Sequence, residues 1–123
     1  MYSSPVVLLQ ADSPLSSVLQ RELENAFDGV QRVRSVDQAR QAIAHHRASH
    51  AVIDCEISSF REIADLTRDF PATAVICTHR LTDELMWAEA LNAGAVDIFS
   101  PTDARGIISA LTRSSAIMGA IAA

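Results

Sequence analysis

Residues 51–59 read Ala51-Val52-Ile53-Asp54-Cys55-Glu56-Ile57-Ser58-Ser59. A short apolar run closes on a carboxylate, Asp54, and a serine pair able to start a helix follows at once. Such a run reads as a strand buried on both faces, and strands of that kind belong to parallel sheets. Ligands of parallel sheets gather at the carboxyl ends of the strands, which makes Asp54 the first candidate for a functional residue. The commoner fate of a single aspartate is to end a strand or cap a helix, so the rest of the chain has to decide.

Working outward, four more units repeat the pattern of strand then helix. Upstream, Pro5 to Gln10 is an apolar run with Asp12 just past its end, and Ser13 caps a helix with Pro14 at its first position. Leu15, Val18, Leu19, Leu23 and Ala26 recur along that helix at the spacing of a buried stripe. Val30 to Arg34 is short and half polar, as an edge strand should be, and Ser35 with Gln38 makes a capping box for a helix through His46. His45 and His46 suit a helix end, where imidazolium complements the dipole, better than a metal site.

Downstream, Ser59 and Glu62 form a second capping box for a helix with an apolar stripe of Phe60, Ile63 and Phe70, which Pro71 ends. Ala72 to Cys77 is a fourth strand leaving through Thr78-His79-Arg80. Thr82, Asp83 and Glu84 open a helix through Ala93, closed by Gly94 as a left-handed cap. Met86, Trp87, Ala90 and Leu91 of that helix read as core. Val96 to Phe99 is the fifth strand, followed by a helix carrying Ile107, Ile108, Leu111 and Met118 and an apolar tail to Ala123. Five such units imply an α/β, doubly wound, five-stranded parallel sheet with helices on both faces, and one domain over residues 1–123.

Composition narrows the function classes. A net charge of −5 with no basic cluster disfavours direct nucleic-acid binding. No apolar run at the N-terminus is long enough for a signal peptide or membrane span, so a soluble, cytoplasmic protein is expected. Cys55 and Cys77 lack metal-ligand spacing and read as free, buried, slowly reacting thiols. The ten basic residues other than histidine are all arginine; the chain has no lysine.

Asp12-Ser13-Pro14 after the first strand, Asp54 after the third, Thr78 closing the fourth, and Ala90-Leu91-Asn92-Ala93-Gly94-Ala95-Val96-Asp97 before the fifth together resemble the receiver domain of bacterial response regulators, over nearly the whole chain. The resemblance implies the strand order 2-1-3-4-5, with Asp54 as the phosphate acceptor and with Asp12, Asp54 and the carbonyl of Glu56 holding a magnesium ion through hard oxygen ligands. It implies Thr78 and the position of Ile98 as switch residues. It also places Ala11, Glu56, His79, Arg80 and Ser100 around the pocket, and the opposite charges of Glu56 and Arg80 are expected to pair across its mouth.

Four of these positions depart from the family pattern. Ala11 replaces the first acid of a pair, His79 stands where a small residue is usual, and Ile98 replaces an aromatic, with Phe99 facing the other way. Ser100-Pro101 replaces Lys-Pro, and arginine is a poor substitute for a compact ammonium. The reading is therefore a stand-alone, degenerate receiver without an output domain or enzymatic activity. It would bind magnesium weakly and act on a signalling protein: a histidine kinase, phosphotransfer protein or effector. Its fourth helix, fifth strand and fifth helix, including Trp87 or the tail from Met118, would form the interaction face and a possible homodimer contact. The alternatives are a conventional phosphorelay receiver, phosphorylated on Asp54 with magnesium, and a small hydrolase using Asp54, His79 and Arg80.

Overall fold

The computed structural model describes residues 4–122, with side chains described through residue 114. Strands β1 (Val6–Leu9), β2 (Val30–Val33), β3 (His50–Asp54), β4 (Ala74–Thr78) and β5 (Asp97–Phe99) alternate with helices α1 (Pro14–Ala26), α2 (Val36–His46), α3 (Phe60–Asp69), α4 (Glu84–Asn92) and α5 (Ala104–Ala122). All four strand pairings are parallel, in the order β2-β1-β3-β4-β5. The expected sheet is thus the observed one.

Side-chain alternation splits each central strand between two cores. Val7, Leu9, Ala51, Ile53, Val75 and Cys77 pack with Ala39, Ile43, Ile63, Leu66 and Ala90 of α2, α3 and α4. Val6, Leu8, Val52 and Ile76 pack on the other face with Leu19 and Leu23 of α1 and Ile107 and Leu111 of α5. Each fully buried Leu or Ile contributes about 1.5–3 kcal/mol, and the two layers together hold both faces of the sheet. The expected difference between strands follows: β1, β3 and β4 are buried throughout, while β2 and β5 at the edges are partly exposed.

Local signals account for most element ends. Ser13 accepts from the Ser16 N–H with Pro14 at the first helical position, and the Ser59/Glu62 box closes in both directions. Gly94 adopts φ 95, a left-handed conformation disfavoured for residues with a Cβ, and α4 ends against it. Four expectations need correction. The Gln38 carboxamide accepts from the Arg34 N–H rather than from Ser35, so α2 has a serine cap but not a closed box. On α1 the buried stripe is Ser16, Leu19 and Leu23; Leu15, Val18 and Ala26 are exposed, because a helix laid on a sheet buries a narrower face than the apolar spacing offered. On α4 only Ala90 is fully buried; Trp87 is 50% exposed because that helix covers an edge strand and turns its flank to solvent. Strand β4 runs two residues further from Pro71 than expected, starting at Ala74 and including Thr78. Met118 and the tail side chains lie outside the described residues.

Candidate functional site

The register puts Gln10, Asp54 and Thr78 in one row at the carboxyl edge. Leu9 pairs with Ile53, so Gln10 comes level with Asp54, which pairs with Thr78. Alternation carries all three side chains to the face occupied lower down by Val6, Leu8, Val52 and Ile76. Asp54 is buried, with Oδ2 accepting from the Ala11 N–H at 3.1 Å and Oδ1 from the Glu56 N–H at 2.9 Å. These contacts arise because β1 and β3 end together and both following turns present N–H groups to the one carboxylate between them.

Asp12 takes other partners. Its Oδ1 is 3.3 Å from Nη2 of Arg32, on β2, and its Oδ2 is 3.5 Å from Nη1 of Arg34, the residue just past that strand. Arg32 is anchored by more than this ion pair: Nη2 also donates to the Gln10 carbonyl and Ser16 Oγ, and Nη1 to Gln20 Oε1. The positive charge at this edge is therefore supplied by two guanidinium groups that the sequence reading did not single out. Arg32 and Arg34 are signalled only as an Arg-x-Arg pair at the end of the strand the topology places beside β1.

Glu56 and Arg80 pair as expected. Arg80 Nη2 lies 3.0 Å from Glu56 Oε1, and Nε donates to both carboxylate oxygens. The hydrogen bond from Arg80 holds the Glu56 carboxyl below its usual range and raises the guanidinium in turn. His79 Nδ1 accepts from the Leu81 N–H at 2.9 Å, so its ring serves its own loop. Ser100 Oγ lies 2.8 Å from Thr102 Oγ1 and caps a local turn before α5. Ile98 packs with the core of α2, α3 and α4 and Phe99 with that of α1 and α5, so the two do face opposite ways. Ala11 brings its backbone N–H to Asp54 and has no acid to add.

Magnesium needs several oxygen ligands turned to one point. Here the Asp12 oxygens face arginines and both Asp54 oxygens face N–H donors, so the implied set of Asp12, Asp54 and the Glu56 carbonyl does not fit the ion in this arrangement. Among the described residues no group of three or more His, Cys, Asp or Glu side chains could hold a metal. The hydrolase alternative needs a base aligned on Asp54, and neither His79, turned to Leu81, nor Arg80, turned to Glu56, is so aligned.

Cys55 and Cys77 neighbour one another on the opposite face from Asp54 and Thr78. The neighbouring Cys55 thiol and burial both push the Cys77 thiol up. Cys77 is buried as expected, but Cys55 is only half-buried, because it stands past the end of β3 in the turn.

No family model and no curated protein matches this sequence. Solved structures do. The signal receiver domain of an HD domain-containing protein from Pseudomonas fluorescens superposes with a TM-score of 0.82 at 17% identity, over 96% of this chain and 98% of that one. A putative pilus assembly-related protein from Burkholderia pseudomallei gives 0.76 at 20% identity, over 93% and 90%. A response regulator protein from the same organism, with a phosphorylated aspartic acid, calcium ion and citrate, gives 0.76 at 18% identity, over 97% of this chain and 73% of that one. With the sheet order, the flanking helices and these superpositions in agreement, the chain has the fold of the response-regulator receiver domains.

Proposed function

We propose that this chain is a cytoplasmic, receiver-like signalling module that acts by binding another protein, with phosphorylation of Asp54 slow or absent and magnesium bound weakly. The observation that carries the reading is the engagement of Asp12 by Arg32 and Arg34. Both Asp12 oxygens face guanidinium groups of the chain itself, and these compete with a divalent cation for the carboxylate. The absence of lysine and the local turn of Ser100 point the same way, since no ammonium is left to hold a phosphoryl oxygen. Loss of a preorganised charged stabiliser of this kind typically costs a few kcal/mol of transition-state stabilisation.

The partner would be a histidine kinase, phosphotransfer protein or effector, met through α4, β5 and α5. In support, Leu81, Leu85, Trp87 and Val96 are 77%, 70%, 50% and 42% exposed, a concentration of apolar groups on and beside α4. A homodimer through the same face is the simplest assembly. Among the described residues no helix is long and apolar enough to cross a membrane.

Intact mass after incubation with acetyl phosphate and magnesium chloride tests the chemistry. No adduct is expected from the folded wild-type chain, and a gain is expected from Ala11→Asp, His79→Ala and Ser100→Lys combined, abolished by adding Asp54→Asn. Stoichiometric labelling of the wild type at Asp54 would overturn the reading in favour of a conventional phosphorelay receiver.

A further inference from the structure

Gln10 is a polar residue at the end of a strand that is otherwise wholly apolar, and it is 6% exposed. A buried carboxamide requires partners. Its Nε2 donates to Thr78 Oγ1 at 2.7 Å, between residues 68 positions apart in sequence, and Thr78 is fully buried. The contact crosses β3 at the level of Asp54, a span of two inter-strand spacings, roughly 9.6 Å between backbones. Both ends are fixed independently: the Gln10 carbonyl accepts from Arg32 at 3.1 Å, and the Thr78 carbonyl from the Cys55 N–H at 2.8 Å.

We propose that Gln10 is a positioning residue that latches Thr78, holding its hydroxyl in one rotamer and the exit of β4, residues 79–81, in one arrangement whatever stands on Asp54. The inference rests on reading the Asp54 edge as the functional edge. For Thr78 to swing its hydroxyl into another rotamer, the Gln10 amide would have to give up its acceptor while remaining buried. A donor stranded in this way disfavours the turned state by about tenfold or more. The β4 exit then stays in one form, which suits a module that presents a constant surface.

The test pairs Gln10→Met, which keeps length and volume without the amide, with Thr78→Val, which keeps shape without the hydroxyl. Three-bond couplings to the Thr78 methyl carbon read its rotamer by NMR, and amide exchange at Arg80 and Leu81 reads the loop. The wild type should show one rotamer. Gln10→Met should show averaging and about tenfold faster exchange at those two amides, with Val52 unchanged. In urea unfolding the double variant should fall short of additivity by about five- to tenfold in equilibrium constant. A single rotamer in Gln10→Met, or an additive cycle, overturns the latch. If Gln10→Met does not fold, the wild type alone decides: the Gln10 side-chain amide protons should exchange at least about tenfold more slowly than those of exposed Gln31 and Gln41, and equal rates overturn the proposal.

Acetyl phosphate with magnesium, added to the same wild-type sample, separates the two ideas. Labelled Asp54 with an unchanged Thr78 rotamer supports the latch and overturns the degenerate reading. A Thr78 rotamer that changes upon labelling overturns both. Unlabelled protein with a single Thr78 rotamer in Gln10→Met keeps the degenerate reading and overturns the latch.

Discussion

If arginines hold Asp12 in place of a metal, removing them should raise magnesium affinity, and the two should differ in what their loss does to stability. Arg34 has a side chain 81% exposed and one contact at 3.5 Å with Asp12, whose side chain is 78% exposed. Such a pair contributes about 0–1 kcal/mol, so Arg34→Met should barely move urea unfolding. Arg32 is 23% exposed and also loses donations to Gln10 O, Ser16 Oγ and Gln20 Oε1. Ser16 Oγ keeps its bonds with Ser13, so the exposed cost falls mainly on the Gln10 carbonyl and Gln20, about 1–3 kcal/mol in all. For the metal, a unit charge some 3 to 4 Å away in a water-like medium is worth about 1 kcal/mol, or roughly fivefold in affinity per arginine. The double variant should therefore bind magnesium about ten- to thirtyfold more tightly by isothermal titration at low salt, where screening is least. Adding Asp12→Asn should return the affinity to that of the wild type. A double variant that binds no better than the wild type would refute the idea that these guanidinium groups compete with the ion.

His50, at the start of β3, is 8% exposed, packed 5.7 Å from the Phe27 ring, and burial lowers its pKa from the ordinary 6.5 against a smaller opposing contribution from the Leu111 backbone. The unfolded chain then takes up the proton first, so stability is full above about 6.5 and falls as pH drops from there toward the lowered native value; His50→Gln should flatten that limb of a urea midpoint against pH curve. Thiol titration with an aromatic disulfide in the native protein should modify half-buried Cys55 well before Cys77, and equal rates would contradict the burial of Cys77. Gly94→Ala should cost about 1–3 kcal/mol through its positive φ alone, and more because a Cβ would come within 3.0 Å of the Thr67 Cβ and disturb the Thr67 hydroxyl that donates to Ala93 O at 2.6 Å. A thermal midpoint unchanged in that variant would show that the α4 end relaxes freely.

The sequence by itself determined the elements and their order. Ser13-Pro14, Ser59 with Glu62, and Gly94 set element ends through short-range sterics and local hydrogen bonds, and the alternation of buried runs with helical stripes left a parallel sheet as the arrangement able to bury both. It also marked Asp54 and Thr78, because residues at strand ends keep their place in any sheet of this order. What it could not supply was which polar side chains meet across that edge. Arg32 and Arg34 on Asp12, and Gln10 on Thr78, join residues 20, 22 and 68 positions apart. Helix faces were likewise legible as patterns but not as contacts: Leu15, Val18 and Trp87 fit an apolar stripe yet stand in solvent. A periodic pattern fixes which residues share a face, while the reach of a side chain to a distant partner depends on strand register and on how far each helix overlaps its sheet, and only the packed chain decides those.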